Sequence, residues 1–505
     1  MRPAWPCEKL QFSANSLGQL MDAAEGRSRA LYEELKARIR DGTHAPGQVL
    51  PSTRACAAER GLSRTTVSAV YEQLAAEGFI ETRPGAASRV AAGARSPVGP
   101  APLARSPAAA APRLSALGER LQRRPVSDFN MPPAPAIDFA YGPLSGGDFP
   151  ALLWRKAVRA TESAPDARLI YREPLGDLSL RRALQGYLAR SRGIACSVEQ
   201  LVVANGSQQV LDLCARLLLD VGDAVAVEDP GYGMANRAFE AAGARLVGVP
   251  VDDHGLVTDA LPRAAARLAY VTPTHQFPLG GFLPMARRHA LLAWAHAQGA
   301  WVIEDDYDAE YRHAIRPELT LRSLDPQDRV IYVGTFSKTL SPELRLGYAV
   351  LPTHLVGPFA QVRQLADRHA PTGPQRALAR LIADGGYERH VRRMRRAQEA
   401  RRAALLDALV RYLPGRVRVQ GSASGLHVVV WFDEVPAARE AELVDAARRA
   451  GVWVYPLGPL YLAPAVESGR VAGLVMGYAL LDAQEIMRGV RKLVAVLDAM
   501  PGLAR

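Results

Sequence analysis

The chain has 505 residues, 48% hydrophobic and 22% charged, which is enough to bury large cores and more than one ordinary domain holds. No apolar run reaches the roughly eighteen residues of a membrane helix, so a membrane span is excluded as an expectation. The net charge of +11 favours polyanionic partners through counterion release, but Met1–Arg95 carries 13 basic against 10 acidic residues, so charge alone does not single out a nucleic-acid surface.

The N-terminal residues Met1–Leu20 lack the apolar core of a secretory signal. Cys7, Cys56, Cys196 and Cys214 show neither metal-ligand nor redox spacing. A cytoplasmic, nucleoid-associated protein with reduced thiols and no bound metal is expected. Residues 1–27 read as an N-terminal extension, and three helices and a hairpin are predicted from Arg29 to Val90. Ser52, after Pro51, is placed to cap a helix running to about Arg60, and Gly61 breaks it. Ser63 then caps a second helix whose inward stripe is Val67, Val70 and Leu74. Two short capped helices joined by a Gly-containing turn are the helix-turn-helix pattern. The second helix opens with Arg64, Thr65 and Thr66, polar groups where such helices meet base edges and phosphates. Phe79–Glu81 starts a strand, Arg83-Pro84-Gly85 turns it, and Arg89 and Val90 return, making a small basic wing. One capped helix by itself is usually a plain hairpin with a solvated end; cap, turn, second cap, stripe and wing in order point to DNA. A winged helix-turn-helix over 28–92 is expected, with Ser52, Thr53, Arg54, Ser63, Arg64, Thr65, Thr66, Arg83 and Arg89 as candidate contacts to a double-stranded operator.

Residues 93–136 are dominated by Ala, Pro, Gly and Arg and read as a semi-rigid linker, with room for a short helix around Ser115–Arg124. From 137 to 505 helical patterns alternate with short β-rich runs: LVVAN (201–205), AVAVED (224–229), LAYVTP (268–273), AWVIEDD (300–306) and RVIYVGT (329–335). Apolar runs ending in small or polar residues suit buried, mostly parallel strands, so an α/β sheet with active groups at its strand ends is predicted.

The strongest chemical motif is Gly334-Thr335-Phe336-Ser337-Lys338, at the end of one such strand. A lysine in a small hydroxyl-rich turn can be desolvated, which frees its amine for nucleophilic work. Thr335 and Ser337 offer hydroxyls to a phosphate, and Arg345 a bidentate charge. Asp305 ends another strand with Tyr307 two residues on; a carboxylate against a pyridinium nitrogen and a tyrosine against a phenolic oxygen are the groups that tune pyridoxal 5'-phosphate. Glu304, Asp305 and Asp306 are adjacent, so Asp306 is the fallback for that carboxylate. Gly206, Ser207 and Gln208 open an apolar helix as a phosphate cradle. Tyr232, after a further strand, is placed to stack on a flat ring. A lone Ser-Lys pair is usually surface, and each other piece is weak by itself; four strand ends with complementary roles make one coherent site.

These motifs also carry a resemblance. PGQVLPSTR, LSRTTVSAVYEQL and AEGFIETRPG resemble the GntR family of bacterial regulators, which implies DNA contact by Arg54, Arg64 and Thr66. The wing GAASRVA lacks the second glycine usual at its tip. YREPLGDLSLRRAL, NGSQQVLDL, EDPGY, TPTHQFPLGG, IEDDYDAEYR, GTFSKTLSPELRLGY and YERHVRRMRR look like fold-type I aminotransferases, and the fusion resembles the MocR-type branch of the GntR regulators. That resemblance implies Lys338 as the Schiff-base lysine, Asp305 at the pyridine nitrogen, Tyr307 at the phenolic oxygen, Tyr232 stacking, and Ser207, Thr335 and Arg345 at the phosphate. It implies that Tyr171 reaches the phosphate of a second subunit, hence a homodimer. There are departures. Phe277-Pro278-Leu279-Gly280 stands where aminotransferases carry Asn-Pro-x-Gly, leaving His275 or Gln276 to replace the lost amide. Met234 and Val475 stand where arginines that bind an effector carboxylate are expected, with Arg470 or Arg237 as replacements. The expectation is therefore a regulator sensing a small amine, amino acid or B6 vitamer; the alternative is a working aminotransferase with an appended head. Seven arginines at 389, 392, 393, 395, 396, 401 and 402 read as a solvated helix face, or else as a second contact to DNA phosphates.

Overall fold

The computed structural model describes residues 14–83, 86–94, 113–123, 136–162, 170–262, 265–312, 319–463 and 470–502, with side chains from 26 onward. The chain divides into two units, Met1–Arg113 and Leu114–Arg505.

In the smaller unit α1 (Ala14–Arg40), α2 (Thr53–Arg60) and α3 (Arg64–Ala76) are followed by the hairpin β1 (Ile80–Glu81) and β2 (Arg89–Val90). Helix α1 begins well ahead of Arg29, inside the stretch read as an extension. Both caps form as their sequence requires: Ser52 Oγ accepts from the Ala55 amide and Ser63 Oγ from the Thr66 amide, each at 3.1 Å. Gly61 closes α2 in the left-handed region at φ 61°. Leu31, Leu35 and Ile39 of α1 meet Val67, Val70 and Leu74 of α3 and Ile80 and Val90 of the hairpin in one core. The turn residues Pro84 and Gly85 lie outside the described residues.

The larger unit starts with α4 (Ala116–Arg123), which lies within the stretch read as linker. Arg120 anchors it, donating from Nε and Nη2 to the Ala241 carbonyl at 3.0 and 2.8 Å. There follow β3 (Ile137–Asp138), α5 (Ala151–Glu162), α6 (Leu178–Arg192), β4 (Leu201–Ala204), α7 (Ser207–Leu218), β5 (Ala224–Asp229), α8 (Gly233–Ala242), β6 (Arg245–Asp252), β7 (Gly255–Leu256), β8 (Leu268–Val271), α9 (Met285–Gln298), β9 (Trp301–Asp306), α10 (Leu321–Leu324), β10 (Val330–Thr335) and β11 (Gly347–Val350). The chain ends with α11 (Val356–Asp367), α12 (Thr372–Ala383), α13 (Gly386–Tyr412), β12 (Val417–Gln420), β13 (His427–Pro436), α14 (Glu440–Arg449), β14 (Val452–Trp453), β15 (Tyr455–Pro456), β16 (Val471–Gly477) and α15 (Ala483–Ala499).

An eight-stranded sheet runs β4-β11-β10-β9-β8-β5-β6-β7. Strands β10, β9, β8, β5 and β6 are parallel to one another, while β11 is antiparallel to both neighbours. Of these, β5, β8, β9 and β10 are buried on both faces, which is why they read as continuous apolar runs, whereas β6 is largely exposed or half-buried. A second, antiparallel sheet, β12-β13-β16-β15, packs with α14 and α15 around its own core. Parallel strands that end on the same side gather Asp229, Asp305 and Thr335 at one edge of the large sheet.

Candidate cofactor site and nucleic-acid interface

The register of β9 decides between the three adjacent acids. Successive side chains of a strand alternate faces. Glu304 accepts from the Leu321 and Arg322 amides, both at 2.8 Å, and Asp306 pairs with Arg192 at 2.7 Å, so both are consumed by the scaffold. Burial works against the charge of Asp306, yet Arg192 and the Tyr332 hydroxyl hold its carboxyl below the usual range. Asp305 points the other way. Tyr270 of β8 donates to its Oδ2 at 2.7 Å, while its buried Oδ1 has no hydrogen-bond partner. Burial pushes this carboxyl up to about 7, with Asp306 adding to the rise and Tyr270 and Lys338 opposing it.

Lys338 follows β10. Burial lowers its amine below the ordinary lysine range, against the charges of Asp308 and Asp305. A Cβ on Gly142, whose φ is +114°, would sit 2.7 Å from Lys338 Nζ, so that backbone can approach the amine only as glycine. Tyr141 beside it is ringed by Phe277, Tyr455 and His427 at centroid distances of 5.3, 5.5 and 6.2 Å. Tyr232 stands edge-on to Phe277 at 5.7 Å.

Gly206 caps α7 at φ 86°, and a Cβ there would fall 2.5 Å from Arg345 Nη2. Arg345 donates from that nitrogen to the Asn205 carbonyl at 3.0 Å. The cradle therefore joins the open amides of α7 at Ser207 and Gln208 to a guanidinium. Gln208 Nε2 donates to the Met234 carbonyl, and its buried Oε1 is unpartnered. Thr335 is buried and its Oγ1 accepts from the Ser337 amide at 3.1 Å.

His275 is buried beside buried Asp308 and half-buried Tyr307. Its Nδ1 lies 2.9 Å from the Tyr307 hydroxyl and 3.0 Å from Asp308 Oδ2, and its Nε2 has no partner. With His427 and Asp308 it makes a group that could in principle ligate a metal. Two of its nitrogens are engaged, however: His275 Nδ1 as above, and His427 Nε2, which faces the Pro278 carbonyl at 3.0 Å, while burial lowers that imidazole to about 4. Gln276 does not replace the missing amide, because its Nε2 serves the Pro230 carbonyl at 3.0 Å and Glu228 at 3.2 Å.

Some expected residues stand apart. Tyr171 is 70% exposed, lies under Arg368 at 4.2 Å and stands edge-on to His369 at 6.1 Å. Val475 is buried in β16 opposite Tyr455 and Val429, Met234 is exposed, and Arg470 sits over Tyr461 at 4.4 Å. The arginine run is neither simply a solvated face nor a free phosphate contact. Arg393 and Arg401 bind Asp148, Arg395 the Glu310 carbonyl, Arg402 the Ser422 carbonyl and Arg389 the Asp384 carbonyl. Sequence reasoning missed Tyr270, Asp308 and His427; only the motif spacing of IEDDYDAEYR hinted at Asp308.

In the smaller unit Ser52, Arg54, Ser63, Arg64 and Thr65 are exposed at the start of α2 and α3, with Thr53 and Thr66 half-buried. The hydroxyls of Thr65 and Thr66 both lie 2.7 Å from Ser63 Oγ, so they extend the cap. Arg83 is exposed, and Arg89 donates to the Gly47 carbonyl at 3.1 Å, which fixes the base of the wing.

Residues 136–492 match the family model of class I and II aminotransferases, and residues 27–90 that of the gntR family of bacterial regulatory proteins. The chain is 35% identical to the probable rhizopine catabolism regulatory protein MocR of Rhizobium meliloti, over 95% of each chain. It is 33% identical to the HTH-type pyridoxine biosynthesis transcriptional regulator PdxR of Corynebacterium glutamicum, over 80% of this chain and 83% of that one. Among solved structures, the alpha-aminoadipate aminotransferase LysN of Thermus thermophilus, complexed with N-(5'-phosphopyridoxyl)-L-leucine, superposes with a TM-score of 0.65 at 30% identity, covering 72% of this chain and 92% of that one.

Proposed function

Because this chain belongs to the MocR-type branch of the GntR regulators, a winged head joined to an aminotransferase class I and II unit, we propose that it is a pyridoxal phosphate-dependent transcription regulator that senses a small amine, amino acid or B6 vitamer and acts on operator DNA. The observation that carries this reading is the open Oδ1 of buried Asp305 within electrostatic reach of the Lys338 amine, on a chain that also presents a capped, polar recognition helix.

The residues fit the cofactor. An unpartnered buried carboxylate oxygen suits a protonated ring nitrogen, and a cradle that a Cβ at Gly206 would fill suits a phosphate. Pyridoxal phosphate supplies a carbonyl that joins primary amines and a ring that draws electrons from them. Asp305 holds the proton on the ring nitrogen, and Tyr270 keeps its second oxygen in place. Tyr307 offers its hydroxyl to the phenolic oxygen, with His275 behind it, and Tyr232 covers the ring. The amides of Gly206, Ser207 and Gln208, the hydroxyls of Thr335 and Ser337 and the Arg345 guanidinium hold the phosphate. Lys338, its amine made less basic by burial, provides the nucleophile.

Arg54, Arg64, Thr65 and Thr66 meet the major groove from the start of two helices, with Ser52, Thr53 and Ser63 shaping the caps and Arg83 and Arg89 at the wing. A homodimer is supported by exposed Tyr171 together with Leu152, Ile170 and Leu365, exposed by 74%, 60% and 89%. Among the described residues no helix is long and apolar enough to cross a membrane; we place the protein in the cytoplasm with its operator. Slow transamination as a second reading is favoured by the Lys338 amine, made less basic by burial, lying within electrostatic reach of Asp305.

The test is a visible spectrum of the purified protein with and without Lys338→Ala, alongside selection of binding sites from random duplex DNA. A yellow band lost in the variant, and an enriched duplex motif, are expected. A colourless protein that pyridoxal phosphate cannot reconstitute would overturn the cofactor half, and absence of enrichment the DNA half.

A further inference from the structure

The Asp308–His275–Tyr307 chain has a consequence for the direction of one proton. Nδ1 of His275 receives two neighbours at once: Tyr307 Oη at 2.9 Å, and Asp308 Oδ2 and Oδ1 at 3.0 and 3.2 Å. An imidazole Nδ1 either carries a hydrogen or offers a lone pair, never both. A carboxylate only accepts, so a lone pair at Nδ1 would leave two acceptors face to face in a site where His275 and Asp308 side chains are 1% and 2% exposed. Asp308 therefore selects the tautomer with hydrogen on Nδ1. Tyr307 then cannot donate to His275, and its hydroxyl proton is left for another acceptor. The unpartnered Nε2 fits this tautomer as well, because an acceptor lacking a partner costs less than a buried N–H lacking one.

We propose that Asp308 and His275 are positioning residues that lock the Tyr307 hydroxyl as a donor directed away from His275, toward the ligand. This rests on the reading above, in which that acceptor is the phenolic oxygen of pyridoxal phosphate. Other charged or titratable groups face the chain from the packed elements: Asp305 and Asp306 on β9, Glu228 on β5, His427 on β13 and Lys338 after β10. Their charges bear on the same chromophore, so the sign of the effect must separate a lost donor from a lost charge.

Two substitutions do this. Asp308→Asn removes the charge but keeps an oxygen that accepts from Nδ1–H. Asp308→Leu keeps the branched shape and removes the acceptor, which frees Nδ1 to turn its lone pair to Tyr307. A donor on the phenolic oxygen favours the deprotonated chromophore, so losing it raises the pH midpoint of the visible band. Losing a nearby negative charge lowers that midpoint. With both holoproteins brought to equal cofactor content, we expect the Leu variant's midpoint to lie about one pH unit above the Asn variant's, a roughly tenfold change in proton affinity. A Leu midpoint equal to or below the Asn midpoint overturns the proposal. Histidine nitrogen NMR on the cofactor-free protein reads the tautomer without any chromophore, with the His275 signal assigned by its loss in His275→Asn. Hydrogen on Nδ1 in the native chain, moving to Nε2 in Asp308→Leu, is expected; hydrogen on Nε2 in the native chain overturns the proposal. Failure to bind pyridoxal phosphate would instead strike the functional reading and leave the tautomer measurement standing.

Discussion

The two units handle polar chemistry in opposite ways. In the head the candidate DNA contacts lie outside a small apolar core: Arg54, Ser63, Arg64 and Thr65 are exposed, while Val67, Val70 and Leu74 beneath them are buried. Function there is added to the surface of a scaffold that folds without it. In the larger unit Asp305, Asp306, Asp308, His275 and Lys338 lie among buried strands, where burial raises the Asp305 carboxyl and lowers the Lys338 amine while Arg192 and Tyr332 hold Asp306 low. Substitutions in the head should thus change binding and spare stability, whereas those in the larger unit should change both.

The largest effect tests the buried side. Arg192 is paired at 2.7 Å with both Asp306 and Glu310, and removing it leaves two carboxylates without their cation. Arg192→Leu should cost about 3–5 kcal/mol in urea unfolding. A loss under 1 kcal/mol would mean that these charges are solvated and that the contrast between the units is false.

Asp305 gives a smaller effect with a defined pH dependence. Its carboxyl is raised from 3.8 to about 7 in the folded chain, so the stability it contributes is full below about pH 4 and lost as pH rises through 7. Asp305→Asn removes that loss. The cofactor-free variant should match the native protein near pH 4 and exceed it above pH 7 by about 2 kcal/mol, under a ceiling of roughly 4 set by the shift. Its affinity for pyridoxal phosphate should fall at the same time. Stability and affinity moving together would contradict the role given to this carboxylate.

The head should respond differently. Arg64→Ala should weaken duplex binding about tenfold and reduce the salt slope by about 0.9, as for one phosphate contact, with no change in melting temperature. Smallest is Ser63→Ala, which loses the α3 cap and about 1 kcal/mol of head stability. This last substitution marks where the comparison blurs, since a residue placed near DNA is also structural.

The same contrast explains what could be read from the sequence. Caps, the Gly61 break and the α3 stripe are local, and the helix bounds at Ser52 and Ser63 follow from side chains within three residues. Strand ends bearing Asp305 and Lys338 were legible because apolar runs stop there. Asp305 is favoured there with Asp306 as the fallback, but what engages Asp306 was not legible, because it is Arg192 of α6 and Tyr332 of β10, 114 and 26 residues away in the chain. Tyr270 and His427 were missed for the same reason: a tyrosine in LAYV and a histidine opening β13 look like core until the fold sets them beside Asp305 and His275. The arginine run is largely exposed, as its charge suggests, but the partners that tie parts of it down, the Glu310 and Ser422 carbonyls and the Asp148 carboxylate, are not revealed by sequence.

The proposed function requires one chain to couple an amine-binding cofactor site to a DNA-binding head. Its most direct test is fluorescence anisotropy of the full-length protein, loaded with pyridoxal phosphate, on a duplex recovered by selection, with a panel of primary amines and B6 vitamers added. At least one compound is expected to change the dissociation constant threefold or more in the native protein, with no change in Lys338→Ala, which still binds the duplex. A response of the same size in Lys338→Ala would contradict it.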